Sequence, residues 1–288
     1  MIPAQFDYLT PKTLDEAVAL LAQHADDAKI LAGGHSLIPA MKLRLATPQI
    51  LIDIGRIQNL AYINDSGGQI RIGAMTTHYQ IESSAKLKDI CPLLPETAGQ
   101  IGDVQVRNKG TIGGSLAHAD PAADWPAAIV ALRAEMVAVS PKGERVIKAD
   151  DFFVDMLTTA LQPGEILREI RIAAPTGRFG QAYMKVAQPA SGFAVTGVAV
   201  HLTRGGDGKC QAAGIGVTGV ASKAYRATGV ENALIGTALD AQSIAKAAAV
   251  VTDGVSINGD LYASEQYRHH LAVVYVRRAI EAAAARAK

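Results

Sequence analysis

The residues best suited to chemistry in this sequence are two glycine pairs in distant parts of the chain, each followed by a serine. The first is Ala32-Gly33-Gly34-His35-Ser36 and the second is Thr111-Ile112-Gly113-Gly114-Ser115. Paired glycines remove two β-carbons, so main-chain N–H groups can approach a ligand and form a concavity for an anion. A serine hydroxyl adds a further donor. One such loop holds one phosphate; two together imply a pyrophosphate gripped between them. The first loop follows an apolar, strand-like stretch, Lys29-Ile30-Leu31, and the second a charged turn, Arg107-Asn108-Lys109-Gly110.

Polar residues crowd the second loop. Asp103, Gln105, Arg107, Asn108, Lys109, His118, Asp120 and Asp124 occupy a stretch with few bulky apolar residues. Such polarity is costly unless it lines a ligand site or meets solvent. Asp124, just before Trp125-Pro126, has two readings: a cap satisfying main-chain donors at a helix start, or an acceptor for sugar hydroxyls. Gly214-Ile215-Gly216-Val217-Thr218-Gly219 matches GxGxxG, but its glycines alternate with Ile and Val and no helix start follows, so it reads as a packed strand. His35, His118, His269 and His270 have no metal-ligand spacing with nearby carboxylates, and His269-His270 reads as surface. Ser115, His118 and Asp120 lie too close in sequence for a hydrolase triad and lack the G-x-S-x-G elbow.

The elements that must position these residues alternate between strand and helix. The spacing predicts a helix from Thr13 to His24, capped by Thr13 with Glu16 three residues on. It predicts strands at Ala28–Ala32, Gln49–Ile54 and Ile70–Ala74, and helical turns at Ser36–Arg44 and from Thr76-Thr77 to Ser83. Helices are expected at Leu93–Ile101 and Pro126–Arg133, with a strand at Met136–Ser140. Pro175 and two glycines place a domain boundary near residue 177. Beyond it, Gly180–Ala187, Ala194–Thr203 and Gln211–Val220 read as an antiparallel three-stranded sheet, followed by helices at Ser243–Thr252 and Ser264–Arg286.

Composition narrows the function classes. At 288 residues, 49% hydrophobic and 19% charged, the chain suits a two-domain globular protein. With 28 Lys+Arg against 27 Asp+Glu there is no basic excess to bind nucleic acid. Cys91 and Cys210 are too few and too far apart for a disulfide framework, a zinc site or an iron–sulfur cluster, and read as buried thiols in a reducing compartment. No signal-peptide pattern or membrane span is apparent, so a cytoplasmic location is expected.

The first glycine loop, together with the run from Gln105 to Pro121 containing Arg107-Asn108-Lys109-Gly110-Thr111-Ile112-Gly113-Gly114-Ser115, closely resembles the FAD-binding medium subunit of the molybdenum hydroxylases. Aerobic carbon monoxide dehydrogenase and bacterial xanthine-dehydrogenase-type enzymes belong to that group. The resemblance extends from Phe6, Tyr8 and Pro11 through Gly164-Glu165-Ile166-Leu167 to Tyr267-Arg268-His269-His270-Leu271. It implies an α+β protein. A flavin domain of the vanillyl-alcohol-oxidase type (1–177) would comprise two α/β subdomains split near residue 54. A C-terminal domain (178–288) would carry a three-stranded antiparallel sheet and helices.

The resemblance also implies site residues. Ala32, Gly33, Gly34, His35, Ser36, Thr111, Ile112, Gly113, Gly114 and Ser115 would hold the FAD pyrophosphate. Asp124 matches a carboxylate near the ribityl chain, Leu161 and Lys185 match positions on the isoalloxazine side, Ile101 packs beside the cofactor, and Phe193 keeps an aromatic that covers the ring. Where carbon monoxide dehydrogenases usually carry a basic run before that aromatic, this chain has Gln188-Pro189-Ala190-Ser191-Gly192. That version is more similar to relatives oxidising aldehydes or N-heterocycles.

The implied function is electron transfer, with no catalytic base and no metal on this chain. A large partner would hold the molybdenum cofactor and a small partner two 2Fe–2S clusters, in a dimer of heterotrimers. Electrons would leave the FAD to a quinone or NAD, and the complex could sit at the inner face of a membrane. The rival is a stand-alone FAD-dependent oxidase or reductase of the same flavin fold, and a third reading is a degenerate assembly subunit.

Overall fold

The computed structural model describes residues 1–24 and 26–287. Its first unit is a parallel sheet of order β1-β3-β2 built from β1 (Asp7–Leu9), α1 (Leu14–Gln23), β2 (Ala28–Leu31), α2 (Leu37–Lys42) and β3 (Ile50–Asp53). Thr13 caps α1 by accepting from the Glu16 N–H at 3.1 Å, and the Glu16 carboxylate accepts from the Lys12 N–H at 2.8 Å. Ala17, Val18 and Leu21 then face the sheet.

The second unit carries a five-stranded sheet of order β4-β5-β10-β6-β7, antiparallel throughout. Its elements are β4 (Ile63–Ser66), β5 (Gln69–Gly73), α3 (His78–Ser83), α4 (Ala85–Ile90), α5 (Leu93–Gly99), α6 (Val104–Lys109), α7 (Ile112–His118), α8 (Trp125–Ala131), β6 (Glu135–Ser140), β7 (Gly143–Lys148), α9 (Ala149–Phe152), β8 (Phe153–Asp155), β9 (Thr158–Thr159) and β10 (Ile166–Ala173). The fully buried Trp125 sits in the large core between this sheet and the helices. The stretch expected as a charged turn before the second glycine pair is α6, whose Asp103 cap accepts from the Gln105 and Val106 N–H groups.

The third unit has β11 (Arg178–Ala187), β12 (Ala194–Arg204) and β13 (Cys210–Thr218) in antiparallel order, extended by the two-residue β14 (Tyr225–Arg226). It is completed by α10 (Thr228–Leu234), α11 (Ala241–Ala248) and α12 (Glu265–Arg286), the last capped by Ser264. Gly214 and Gly216 of the GxGxxG run are the seat of α8. A β-carbon on Gly214 would lie 2.1 Å from the Ala131 carbonyl, and one on Gly216 1.9 Å from that of Ala127. These glycines serve close helix–sheet packing across the two parts of the chain, and the run is not a dinucleotide turn. Cys91 and Cys210 are free and buried, and burial pushes the Cys91 thiol up to about 12.

Candidate functional site

The first glycine pair forms the turn between β2 and α2. Gly34 adopts φ +76°, which favours glycine. Among the described residues, the main-chain N–H groups of Gly33, Gly34, His35 and Ser36 meet no protein acceptor. Ser36 stands at the start of α2 without capping it through its side chain. This turn therefore presents a set of uncommitted donors on a half-buried surface, with His35 exposed.

The second glycine pair is the first turn of α7 rather than a loop. The Thr111 hydroxyl caps it by accepting from Gly114 N–H at 3.1 Å. Ile112 N–H donates to the Thr76 carbonyl, Gly113 N–H to that of Ala74, and Ser115 N–H to that of Thr111. Gly113 is buried because its missing β-carbon would lie 2.4 Å from that of Ala74, and the Ile112 side chain belongs to the core. The two segments meet directly. A β-carbon on Gly33 would lie 2.2 Å from the Lys109 carbonyl, and one on Gly114 would lie 2.8 Å from the Thr111 hydroxyl and 3.5 Å from the Ala32 methyl.

Behind α7 stands a pair not identified from sequence. Trp125 Nε1 donates to Nδ1 of buried His78 at 3.0 Å, and His78 N–H donates to the Gly110 carbonyl. Burial, with His35 and Arg107 adding to it, lowers the His78 pKa from 6.5 to about 4, which keeps Nδ1 an acceptor. The usable signal was Thr77-x-x-Gln80, a capping box that starts α3 at His78.

A second cluster gathers the remaining candidates. Asp124 is buried, and its carboxylate makes no capping bond to α8; it accepts from Tyr183 Oη at 2.5 Å and lies 2.9 Å from Lys185 Nζ. Burial pushes its pKa up, while Lys185 and Tyr183 pull it down. Lys185 also donates to the carbonyls of Gln100 at 2.6 Å and Gly192 at 2.8 Å. Ile101 and Phe193 follow those two carbonyls; Ile101 packs on the core, and Phe193 is 43% exposed. Tyr183 was not singled out, yet it lies two residues before Lys185 on one strand and so shares its face.

The six-residue α6 joins the clusters. Its Arg107 donates to the Ile101 and Gly102 carbonyls, and its Lys109 end abuts Gly33, so it spans about 9 Å between the Ile101–Gly102 segment and the glycine turn. Leu161 is half-buried beside the core, next to β9, which packs on α7. The structure thus brings the two glycine segments together, brings Ile101, Asp124, Lys185 and Phe193 together, and connects both groups. Among the described residues no group of His, Cys, Asp or Glu is arranged to hold a metal, and no helix is long and apolar enough to cross a membrane.

Residues 4–175 match the family described as "FAD binding domain in molybdopterin dehydrogenase", and residues 181–283 match "CO dehydrogenase flavoprotein C-terminal domain". The chain belongs to this flavoprotein family. It is 43% identical to the carbon monoxide dehydrogenase medium chain of Afipia carboxidovorans over the whole of both chains. It is 38% identical to the 6-hydroxypseudooxynicotine dehydrogenase complex subunit alpha of Paenarthrobacter nicotinovorans, across 100% of this chain and 97% of that one. A chain in the crystal structure of cyanide-inactivated Cu,Mo-CO dehydrogenase superposes with a TM-score of 0.96 at 43% identity, covering 100% of both. The protein is thus a FAD-binding subunit of an oxidoreductase in the carbon monoxide dehydrogenase and molybdenum hydroxylase family. Its donor set fits FAD: a diphosphate needs several donors, and the Gly33–Ser36 turn holds uncommitted N–H groups and packs directly against the second glycine segment.

Proposed function

We propose that this chain is the electron-transfer flavoprotein of a heterotrimeric molybdenum hydroxylase. Residues 1–177, split near 54, form the flavin domain and 178–288 the C-terminal domain. A large partner holds the molybdenum cofactor, where the substrate is oxidised. A small partner holds the 2Fe–2S clusters that pass electrons to this chain, and two heterotrimers pair. Electrons leave to a quinone or NAD. Bound FAD supplies the reversible redox chemistry; the protein supplies binding, orientation and shelter.

The observation that carries this reading is the turn of uncommitted donors seated on a second glycine segment. N–H groups at Gly33, Gly34, His35 and Ser36 bind the pyrophosphate, with the Ser36 and Ser115 hydroxyls as further donors. Ala32, Thr111, Ile112, Gly113 and Gly114 hold the seam that sets the spacing of the two segments. Ile101, Leu161 and Phe193 exclude water from the ring system, Lys185 stands on the isoalloxazine side and its partner Asp124 borders the ribityl chain. No acid or base of this chain is needed to move a proton on the substrate. The Gln188–Gly192 segment, lacking a basic run, favours an aldehyde or N-heterocycle over carbon monoxide as the holoenzyme's substrate.

Purification of the chain with the products of adjacent reading frames tests the reading. It predicts a yellow-brown complex containing stoichiometric FAD, molybdenum and iron. A colourless chain that takes up no FAD, alone or in complex, overturns it; FAD without molybdenum or iron partners favours the stand-alone oxidase.

A further inference from the structure

The Lys185 ammonium has three protons and three acceptors: Asp124, the Gln100 carbonyl and the Gly192 carbonyl. All three donors are engaged within the protein. Its side chain is 3% exposed and that of Asp124 is 5% exposed. A buried ion pair contributes little net stability compared with well-packed apolar residues, and neutralising Asp124 requires no contact with two main-chain carbonyls. Those carbonyls precede Ile101 and Phe193, which come from different domains.

The segment that Lys185 grips is a self-closed turn. Gln188 N–H donates to the Phe193 carbonyl, Gly192 N–H donates to the Gln188 carbonyl, and the Ser191 N–H and hydroxyl both donate to the Gln188 side chain. The strand side of the turn is anchored where Ala194 N–H meets the Ala122 carbonyl. Two residues before that anchor Gly192 backs onto Gly102, with 3.8 Å between the position of a β-carbon and the Gly102 Cα. The polar link from Gly192 itself to the flavin domain is the Lys185 bridge to the Gln100 carbonyl.

We infer that Lys185 is a positioning residue, a latch that holds the Gln188–Phe193 turn against the Gln100–Gly102 wall and thereby sets where the Phe193 ring stands. The latch itself rests on geometry alone; its effect on FAD rests on the functional reading above. Asp124, oriented by Tyr183, keeps the ammonium aimed.

The test compares Lys185→Met with the double variant Lys185→Met/Asp124→Asn in the full chain. The single variant strands a buried carboxylate and loses stability. The double variant removes both charges while Tyr183 can still donate to the amide oxygen introduced at position 124, so it carries the test if the single variant does not fold. In the double variant, amide exchange of 188–193 is expected to quicken by about tenfold, with an altered visible flavin spectrum and faster FAD release. Wild-type exchange rates in the double variant would mean that Lys185 only neutralises Asp124, and would overturn the latch. Exchange is read without FAD, so a wild-type chain unable to bind FAD sinks the functional reading alone.

Discussion

At the Gly33-Gly34 turn the absent β-carbons leave main-chain N–H groups free, whereas at Gly113-Gly114 each N–H is already bonded within the protein. The two segments carry the same residue types for different physical reasons. The first is a donor surface. The second is a scaffold, in which Gly113 lets α7 lie against Ala74 and Thr111 spends its hydroxyl on the helix start. The proposed pyrophosphate clamp thus has one jaw that offers main-chain donors and one jaw that chiefly supports, and damage to each should register in a different measurement.

The largest expected effect tests the supporting jaw. Gly113→Val puts atoms where Ala74 already lies, and should cost about 3 kcal/mol or more in urea unfolding, or abolish soluble expression. A stable Gly113→Val protein that merely lost FAD would dissolve the distinction. Gly33→Ala strikes the contact between jaws, because its methyl meets the Lys109 carbonyl. It should cost about 1–3 kcal/mol of stability and about tenfold or more in FAD affinity by titration. Gly114→Val acts similarly, through the Thr111 cap and the Ala32 methyl rather than by filling the pyrophosphate space.

A smaller effect appears with pH. His78, behind the supporting jaw, titrates at about 4 when folded against 6.5 unfolded. The unfolded chain therefore binds more protons in that window, and stability is full above pH 6.5 and lost as pH falls towards 4. The slope from this residue approaches about 1.4 kcal/mol per pH unit. His201, also lowered to about 4 by burial, adds a similar slope. Replacing His78 with Gln should remove its share, read from urea midpoints across the window, while leaving that of His201. Smallest are Ser36→Ala and Ser115→Ala, each expected to weaken FAD binding by about fivefold, or roughly 1 kcal/mol, with unfolding of the FAD-free chain unchanged.

Much of this was legible because local chemistry dictates it. Thr13, Thr77 and Ser264 cap the helices expected to follow them, and the three long strands after residue 177 stand within two residues of their expected limits. The glycine pairs announced a site, but not which pair donates, because that depends on where the Ala74 and Thr76 carbonyls fall in the fold. Strand β10 and helix α6 were not identified. The first breaks its apolar run with Arg168, Glu169 and Arg171, which blurs the strand alternation, and the second is short and polar with no buried residue to mark a face. The Asp124–Lys185–Tyr183 cluster is a long-range product of two domains meeting; sequence offered Asp124 a cap or a sugar contact, and packing gave it a lysine.

The seating of α8 on Gly214 and Gly216 bears on how such a chain can be rebuilt. A helix of the flavin domain lies with the Ala127 and Ala131 carbonyls against a strand of the other domain, at distances that admit no side chain. Chimeras that join residues 1–175 of this protein to the second half of a relative must therefore inherit glycine at both strand positions. A single alanine there would pry the halves apart before any question of flavin arose. Recombination across the connecting segment is thus restricted by a helix and a strand that sit far from it in sequence.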